Sequence, residues 1–577
     1  MGRPIYLLTD SGFSYLQCAL VKDFNGIYRV ADEVRLPTFG DTHTTPEHDT
    51  LIKAIYQLQS NLNYPLVNSK GSLLKKSPFK KGGVDGHLYT SSSAGTLQCM
   101  IVGTPKMDLY DKQLTFLQGA GILILNKNQK QDPHYLLSLV SDFLPQTIVL
   151  FNGHNKSTTA HITKFANLLS YCISARHHYF PTVIFAGGFS PLKEVKDALS
   201  GICQLVITDT ALPTASEKNL LPLQLELQNI YLEFLSSNIQ NKNLINRWIT
   251  ESPGASPGDL GLSIKLYQKL HQPDKNIMAT DFGRSQVSIY SIYNNIYHRS
   301  IFAQEGVSNE MPFYFEKENM KKMKSWLPSH FTVEDIQNGL ITKALNNTSI
   351  PATVDELALD HAYGRLLTQK ALSNHDEILM QSICGKKSSE DARFIDYSQI
   401  EIIVATGGIY ANCPRLGQAM QMLLDGFSIP GWTTYYLDKD QLLSRVGALY
   451  RQNETLAKEL LQNNLPIELG TSYKPLMTDS SRQTLFEFKI KLRTKVYHEE
   501  LKRGQLKNYQ FPKDERAIIE IIPAKDTDIG LGKGIKLEKS LISGACGFYL
   551  DARHLSEKGI NKNQFTSTLY PDPSPLN

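Results

Sequence analysis

The chain is short of the features that mark several large classes of protein. Its 577 residues contain seven scattered cysteines and no CxxC pair, so neither a disulfide framework nor a cysteine zinc site is predicted. No run of about 18 apolar residues occurs, which argues against a helix that spans a bilayer. The first residues also lack the apolar core of a signal peptide. These absences predict a cytoplasmic protein with reduced thiols.

An excess of charge of either sign is also absent. The 60 Lys and Arg residues nearly balance the 56 Asp and Glu residues, which gives a net charge of +4. Such a balance provides no general attraction to nucleic acid or to a membrane surface. One local exception lies within residues 65–85, where residues 69–83 read SKGSLLKKSPFKKGG. We interpret this basic stretch as an exposed loop, with a patch for an anionic partner as the alternative.

Strand and helix patterns alternate along most of the chain. Apolar residues at every second position predict strands in IYLLTD, YLQCALV and YRVADEVRL, and helical spacing follows in EHDTLIKAIYQLQSNL. The alternation continues to about residue 210 and indicates an α/β layered fold. A mainly helical insertion is predicted at about 330–385. From residue 482 onwards, alternating strands without long helices predict a β-rich C-terminal module.

One strand-turn-strand pattern occurs twice. TDSGF (residues 9–13) and TDFGR (residues 280–284) both follow an apolar run and both lead into an alternating segment. The two copies are far too distant for a solenoid repeat, so the repeated unit is a half-domain. The Pro-, Gly- and Ser-rich stretch at residues 251–261 marks the predicted junction. We therefore expect three units, at residues 1–255, 262–480 and 482–577.

The paired hairpins have residues suited to binding a polyphosphate. A tight turn with Gly and hydroxyl side chains exposes N–H groups that hold phosphate oxygens. An Asp at the end of the preceding strand, here Asp10 or Asp281, can hold the water shell of Mg²⁺. The Gly-Gly turn in ATGGIYAN (residues 405–412) lets a purine approach the backbone. A lone Asp-x-Gly is a common strand turn, but two copies followed by a Gly-Gly turn favour a nucleotide site.

In this order the motifs resemble the duplicated actin-like (ribonuclease H-like) ATPase fold of actin, sugar kinases and heat-shock chaperones. Over most of its length the chain resembles the MutL or glutamate mutase L family, the accessory proteins of adenosylcobalamin-dependent mutases. The most specific pairing is ATGGIYA followed by YLDKDQLL. Other matching stretches are LLTDSGFSYLQCALV, IMATDFGRSQVSIYSI and GLGKGIKLEKSLISGACGFYLDAR.

The resemblance implies a set of site residues. Asp10 and Asp281 are the expected catalytic residues and the expected ligands of Mg²⁺ through water. The expected nucleotide-binding residues are Ser11, Gly12, Ser14, Gly283, Arg284, Ser285, Gly407 and Gly408. The implied cofactors are ATP or ADP together with Mg²⁺.

The second hairpin departs from the family pattern. It reads GRSQVS where the family carries Gly-Gly-Ala-Thr-Thr-Asp, so two hydroxyls and a carboxylate are missing. Such losses weaken the positioning needed for phosphoryl transfer more than they weaken ground-state binding. Arg284 offers a cation to a phosphate group, and its alternative role is a structural salt bridge that blocks the site. Retained binding and lost binding of ATP therefore both stay open.

Three functional classes remain. The first and expected one is an ATP-binding reactivase or chaperone-like accessory protein whose partner is an adenosylcobalamin-dependent mutase. The second is a non-catalytic actin-like scaffold or assembly subunit that has lost ATP hydrolysis. The third is a small-molecule kinase, which needs a carboxylate base for an acceptor hydroxyl, and no candidate stands out beyond Asp10. No nucleic acid partner and no membrane span are expected, and an oligomer is left open.

Overall fold

A computed structural model provides the structure of the protein. The residues it describes are 3–38, 47–78, 81–103, 111–126, 132–151, 156–188, 191–209, 211, 219–239, 242–284, 286–303, 315–346, 349–383, 395–476 and 483–553. None of the helices in these ranges is long and apolar enough to cross a membrane.

The elements are numbered in chain order. Those of the first part are β1 (Tyr6–Ser11), β2 (Tyr15–Phe24), β3 (Ile27–Pro37), α1 (Glu47–Leu62), β4 (Gly86–Ser91), β5 (Leu97–Val102), α2 (Asp111–Gln118), β6 (Ile122–Ile124), α3 (Pro133–Phe143), β7 (Thr147–Phe151), α4 (Lys156–Ser174), β8 (Thr182–Ala186), α5 (Leu192–Leu199), β9 (Gln204–Ile207), α6 (Leu221–Ser237), α7 (Lys242–Ile245), β10 (Gly254–Ala255) and α8 (Ser256–His271).

The later elements continue the same numbering. They are β11 (Ile277–Phe282), β12 (Val287–Tyr293), β13 (Ile296–Phe302), α9 (Lys317–Trp326), α10 (Val333–Leu345), α11 (Val354–Ile383), a 3₁₀ turn (Tyr397–Gln399), β14 (Ile402–Thr406), α12 (Gly408–Ala411), α13 (Leu416–Phe427), β15 (Gly431–Leu437), α14 (Leu443–Gln452), α15 (Glu454–Asn463), β16 (Ile467–Lys474), β17 (Thr484–Lys491), β18 (Val496–Lys502), β19 (Leu506–Tyr509), β20 (Arg516–Pro523), β21 (Leu537–Ile542) and β22 (Phe548–Asp551).

Two sheets repeat one strand order. In the first sheet the order is β3-β2-β1-β4-β10, where β2 is antiparallel to both of its neighbours and the strands from β1 to β10 are parallel. The second sheet begins β13-β12-β11-β14-β15, with the same strand directions. A hairpin meander followed by parallel strands, present in duplicate, is the actin-like α/β fold predicted from the sequence. The fold prediction is confirmed.

The two aspartates occupy equivalent places in the repeated sheets. Asp10 is the fifth residue of β1 and lies opposite Thr90 of the parallel strand β4. Asp281 is the fifth residue of β11 and lies opposite Thr406 of the parallel strand β14. Both strands are apolar before the aspartate, as strands covered on both faces require. The sequence repeat is therefore a structural repeat.

Helix α8 connects the two sheets and packs across α14. The helices approach so closely that a Cβ atom on Gly447 would lie 1.8 Å from the carbonyl oxygen of Asp259. The Arg451 Nε atom of α14 donates to Asp259 Oδ1 at 2.7 Å beside this crossing. The stretch at residues 251–261, predicted as a junction, thus contains β10 and the first turns of α8. The second of its two prolines, Pro257, lies at the start of the helix, where the missing N–H costs nothing.

A further sheet lies between β4 and β10 in the sequence. Its strand order is β6-β5-β7-β8-β9, and all of its strands are parallel. A separate apolar cluster that includes Met100, Phe165 and Phe185 packs helices α3, α4 and α5 against it. The segment predicted as the first half, residues 1–255, therefore contains two distinct sheets.

The strand-rich C-terminal module is present, and it is shared between two sheets. Strands β18, β17, β20 and β21 form a four-stranded antiparallel sheet. Strand β22 instead pairs with β16, and β19 pairs with β22, so both extend the second repeated sheet. Helices α9, α10 and α11 form the helical insertion between β13 and β14.

Candidate functional site

The turns of the two hairpins have the same geometry. The Gly12 N–H donates to the Tyr15 carbonyl oxygen at 2.9 Å, and the Gly283 N–H donates to the Gln286 carbonyl oxygen at 3.0 Å. A Cβ atom would lie 3.3 Å from the acceptor oxygen at Gly12 and 3.2 Å from it at Gly283. A side chain at either position would therefore crowd its turn.

The Gly-Gly turn packs directly on the end of the second hairpin strand. Gly407 has φ 90° and ψ 161°, a conformation that is essentially restricted to glycine. A Cβ atom there would lie 2.4 Å from the Phe282 nitrogen and 2.6 Å from Asp281 Oδ1. Gly408 begins α12, and its Cβ would meet nothing closer than Asn412 Nδ2 at 3.5 Å. The first glycine is required for packing, whereas the second leaves the turn open towards a ligand.

A cavity of about 740 Å³ lies between these three turns and the helical insertion. The predicted site residues that line it are Asp10, Gly12, Ser14, Asp281, Gly283, Arg284 and Gly408. Ser11 is fully buried within β1, and Gly407 lies behind the wall against Phe282. Ser285 lies outside the described residues. The structure thus brings most of the predicted residues, from three distant segments, around one volume.

Asp10 is anchored by two serines from the helices that cross behind the cavity. Ser256 Oγ, at the start of α8, donates to Asp10 Oδ1 at 2.7 Å, and Ser444 Oγ of α14 donates to Asp10 Oδ2. Burial raises the pKa of Asp10, and the two hydroxyl donors and the nearby Arg445 guanidinium oppose that rise. The side chain is therefore held in one orientation at the cavity wall.

Asp281 lies close to other carboxylates. Burial, together with the negative charges of Asp10 and Asp438, raises the pKa of Asp281 to about 7. Asp438 follows β15 and accepts hydrogen bonds from two N–H groups at the start of α14 and from Thr406 Oγ1 at 3.0 Å. Burial raises the pKa of Asp438 to about 6 despite these donors. Negative charge is thus concentrated where a cation would relieve it.

The carboxylates fit a hydrated magnesium ion rather than a directly bound metal. Within the described ranges, no three His, Cys, Asp or Glu side chains are arranged to hold a metal ion. Mg²⁺ keeps most of its water and is held by one or two carboxylates together with phosphate oxygens. Asp10 and Asp281 both line the cavity and repel each other. They would hold the hydrated ion, which neutralises phosphate charge when bound.

Two of the cations that line the cavity, Arg284 and Lys343, are engaged by the protein itself. Arg284 Nη2 donates to the Ser349 carbonyl oxygen at 2.6 Å, and burial lowers the pKa of Arg284. Lys343 Nζ bonds to Asp360 Oδ2 at 2.7 Å and to the same Ser349 oxygen at 2.9 Å. Arg284 thus makes a structural contact at the cavity wall. The other role considered for it, binding of a phosphate group, stays a prediction.

Sequence reasoning missed several residues of this site. Asp438 ends a strand in YLDKD much as Asp10 does in IYLLTD, and that shared position was a usable signal. Ser256 and Ser444 meet Asp10 only because two helices cross behind it. Arg445 is fully buried and donates to Glu33 Oε2 at 2.8 Å. Nothing in the local pattern around these serines or this arginine indicates such contacts.

A family model described as MutL protein matches residues 6–465 of the chain. The protein belongs to this family. The part of the MutL chain that matches begins at β1, contains both hairpins and the Gly-Gly turn, and ends after α15. Every predicted site residue thus lies inside the matched region.

The chain is also similar in structure to several solved proteins. One is a nucleotide-free acetone carboxylase, with 11% sequence identity, coverage of 87% of this chain and 81% of that chain, and a TM-score of 0.34. A second is an activator of 2-hydroxyisocaproyl-CoA dehydratase from Clostridium difficile with bound ADPNP, with 8% identity, coverage of 79% of this chain and 96% of that chain, and a TM-score of 0.28. A third is gluconate kinase from Lactobacillus acidophilus, with 11% identity, coverage of 81% of this chain and 93% of that chain, and a TM-score of 0.30. No curated protein matches the chain in sequence.

Proposed function

We propose that this MutL family protein binds ATP and acts as a reactivase or chaperone-like accessory protein of an adenosylcobalamin-dependent mutase. One observation carries the proposal: the two hairpin turns and the Gly-Gly turn surround a cavity of about 740 Å³ that Asp10 and Asp281 line together. Pockets of roughly 300–1,000 Å³ are typical of small-molecule and cofactor sites. The mutase partner is inferred from family membership, and the cytoplasmic location is inferred from the six cysteines of the described residues, which form no disulfide.

The roles of the site residues follow from their positions. The polyphosphate would lie between the turns at Gly12 and Gly283, where backbone N–H groups and the Ser14 hydroxyl meet phosphate oxygens. Asp10 and Asp281 would hold the hydrated magnesium ion on the phosphates. The purine would lie against the open backbone at Gly408.

The first experiment measures ATP binding to the full chain by calorimetry with Mg²⁺, together with phosphate release. We expect binding with slow turnover, loss of turnover in Asp10→Ala, and loss of binding in Asp281→Ala. Asp274→Ala is the matched control, because Asp274 is exposed beyond α8 and away from the cavity. An Asp281→Ala variant with the wild-type affinity would contradict the assignment of the second hairpin.

The second experiment tests the accessory role. A mutase inactivated by damaged cobalamin would be incubated with the protein, ATP and fresh adenosylcobalamin. We expect activity to return with the wild-type chain and not with Asp10→Ala. Recovery that does not depend on nucleotide would contradict the ATP-driven mechanism.

The scaffold alternative is favoured by one feature of the second hairpin. Arg284 replaces a family glycine and is bonded to Ser349 of the helical insertion, so part of this turn serves the fold. A scaffold would form a stable complex with its partner whether or not ATP is present. Co-purification with and without ATP therefore distinguishes the two functions.

A further inference from the structure

Arg35 is a cation of the cleft that pairs with no carboxylate of the described residues at ion-pair distance, although the charge of Glu33 on the same strand still acts on it. Arg35 lies on β3 and lines the cavity, with its guanidinium 4.2 Å from the centroid of the Tyr15 ring. Burial lowers the pKa of Arg35. The nearby acid Glu33 is bonded to Arg445 instead. A half-buried guanidinium without an ion-pair partner carries a desolvation cost that an anion would relieve.

The Arg35 side chain reaches from the first half of the molecule to the second. Its Nη1 atom donates to Asn412 Oδ1 at 2.6 Å, and Asn412 follows α12, directly after the Gly-Gly turn. Both residues line the cavity. The Arg35 Nε–H meets no acceptor among the described residues. Asn412 therefore fixes the orientation of the guanidinium, whose buried Nε–H stays without an acceptor among the described residues.

Two further donors at the same cavity also lack a partner within the described part of the chain. Ser14 Oγ and Gln441 Nε2 are buried atoms with no hydrogen bond, and both residues line the cavity. Gln441 has φ 50°, a conformation that a residue with a side chain adopts at a cost. Buried donors without acceptors are unfavourable. These two residues join Arg35 in the lining of one cavity, each with a donor that lacks an acceptor in the described residues.

The other basic side chains of the cavity are less suited to this role. Arg284 is bonded to the Ser349 carbonyl oxygen, and Lys343 is paired with Asp360. Asp360 offsets the charge of Lys343, and the hydrogen bond to Ser349 holds the Arg284 side chain at the wall. Arg35, which the sequence did not single out, is therefore the more suitable residue to meet an anion.

We infer that Arg35 is the anion-recognition residue of the cleft and that Asn412 positions it. The ligand class is a polyphosphate, and in the proposed function, on which this assignment rests, it is the triphosphate of ATP. Because Arg35 and Asn412 belong to different halves, their hydrogen bond already joins the two halves at the place where the phosphate would bind. Arg35 therefore contributes to the affinity of polyphosphates and not to that of the nucleoside.

The test uses calorimetry on the full chain with three probes, which are ATP with Mg²⁺, inorganic tripolyphosphate and adenosine. We expect Arg35→Ala to weaken ATP and tripolyphosphate by about tenfold or more and to leave adenosine unchanged. Arg29→Ala is the control, because Arg29 lies exposed on the same strand with its guanidinium 4.6 Å from the Phe24 ring centroid. Asn412→Ala should weaken the polyphosphates less than Arg35→Ala.

The outcomes separate this inference from the proposed function. ATP binding that is equal in the wild type and in Arg35→Ala overturns the role of Arg35 and leaves the proposed function intact. Arg35-dependent binding of tripolyphosphate without any binding of ATP supports the role of Arg35 and contradicts the proposed function. Binding of neither overturns both. If Arg35→Ala has a lower melting temperature than the wild type, the same titrations are made with Arg35→Gln, which removes the charge and keeps most of the side chain. An unchanged affinity of Arg35→Gln for tripolyphosphate overturns the inference.

Discussion

Replacement of Gly407 by alanine tests the packing of the Gly-Gly turn against the second hairpin. The φ and ψ of Gly407 are 90° and 161°, in a region that costs a residue with a side chain about 1–3 kcal/mol. The new methyl group would also lie 2.4 Å from the nitrogen and 2.5 Å from the carbonyl oxygen of Phe282. These are backbone atoms of β11 that cannot rotate away, so overpacking adds about 1–3 kcal/mol. The expected loss of stability is about 2–6 kcal/mol.

Gly408→Ala is the matched control for this variant. Its Cβ would lie 3.5 Å from Asn412 Nδ2, an ordinary contact, and alanine favours the helix that begins there by up to about 1 kcal/mol. Scanning calorimetry should therefore show Gly407→Ala melting about 2–5 °C below the wild type, and Gly408→Ala at or above it. Equal melting temperatures of the two variants would refute the reasoning, because the turn would then relax without cost.

Three further predictions concern the stability of the folded chain rather than ligand binding. Burial lowers the pKa of His87 to about 4, below its ordinary value. The stability that this neutral side chain permits above a pH of about 6.5 is therefore lost as the pH falls towards 4, by up to about 3 kcal/mol. Calorimetry should show that the stability of His87→Gln falls less in acid than that of the wild type, and parallel curves of stability against pH would contradict this. Asp425→Asn should cost about 3–5 kcal/mol, because two buried guanidinium groups bond to that carboxylate; an unchanged melting temperature would count against it. Gly447→Ala should increase hydrogen exchange in α8 and α14, because its Cβ atom would lie 1.8 Å from the Asp259 carbonyl oxygen. Gly258→Ala is the control and should leave exchange unchanged, because the nearest atom to its Cβ would be 3.4 Å away. Equal exchange in the two variants would refute the close crossing of the helices.

The two hairpins were predictable because their signals are local. A strand with apolar residues on both faces, an aspartate at its fifth position and a glycine turn occur within a few residues in each copy. The pairing of Asp10 with Thr90 and of Asp281 with Thr406 then repeats because both strands enter the same kind of parallel ladder. The repeat in the sequence therefore predicted both the duplicated fold and the opposing positions of the two carboxylates.

The partners of individual strands were less predictable. Strand β22 was predicted as one more alternating strand of the C-terminal module, but it is buried along its whole length and, together with β19, extends the second repeated sheet. An alternating pattern shows that one face of a strand is buried, and it does not name the strand that pairs with it. The separate parallel sheet formed by β5 to β9 was not predicted either. Its alternation of strands and helices looks the same in the sequence as that of the elements around it, so the pattern does not show that these strands form a sheet of their own.

The sequence by itself determined the duplicated α/β fold, the two aspartates and the glycine turns, because each depends on backbone preferences over short stretches. Tertiary structure alone decided what surrounds them. Ser256 and Ser444 reach Asp10 through the crossing of α8 and α14, and Arg35 reaches Asn412 across the cleft. These contacts join residues hundreds of positions apart, and they are set by helix packing and burial, which no local pattern encodes.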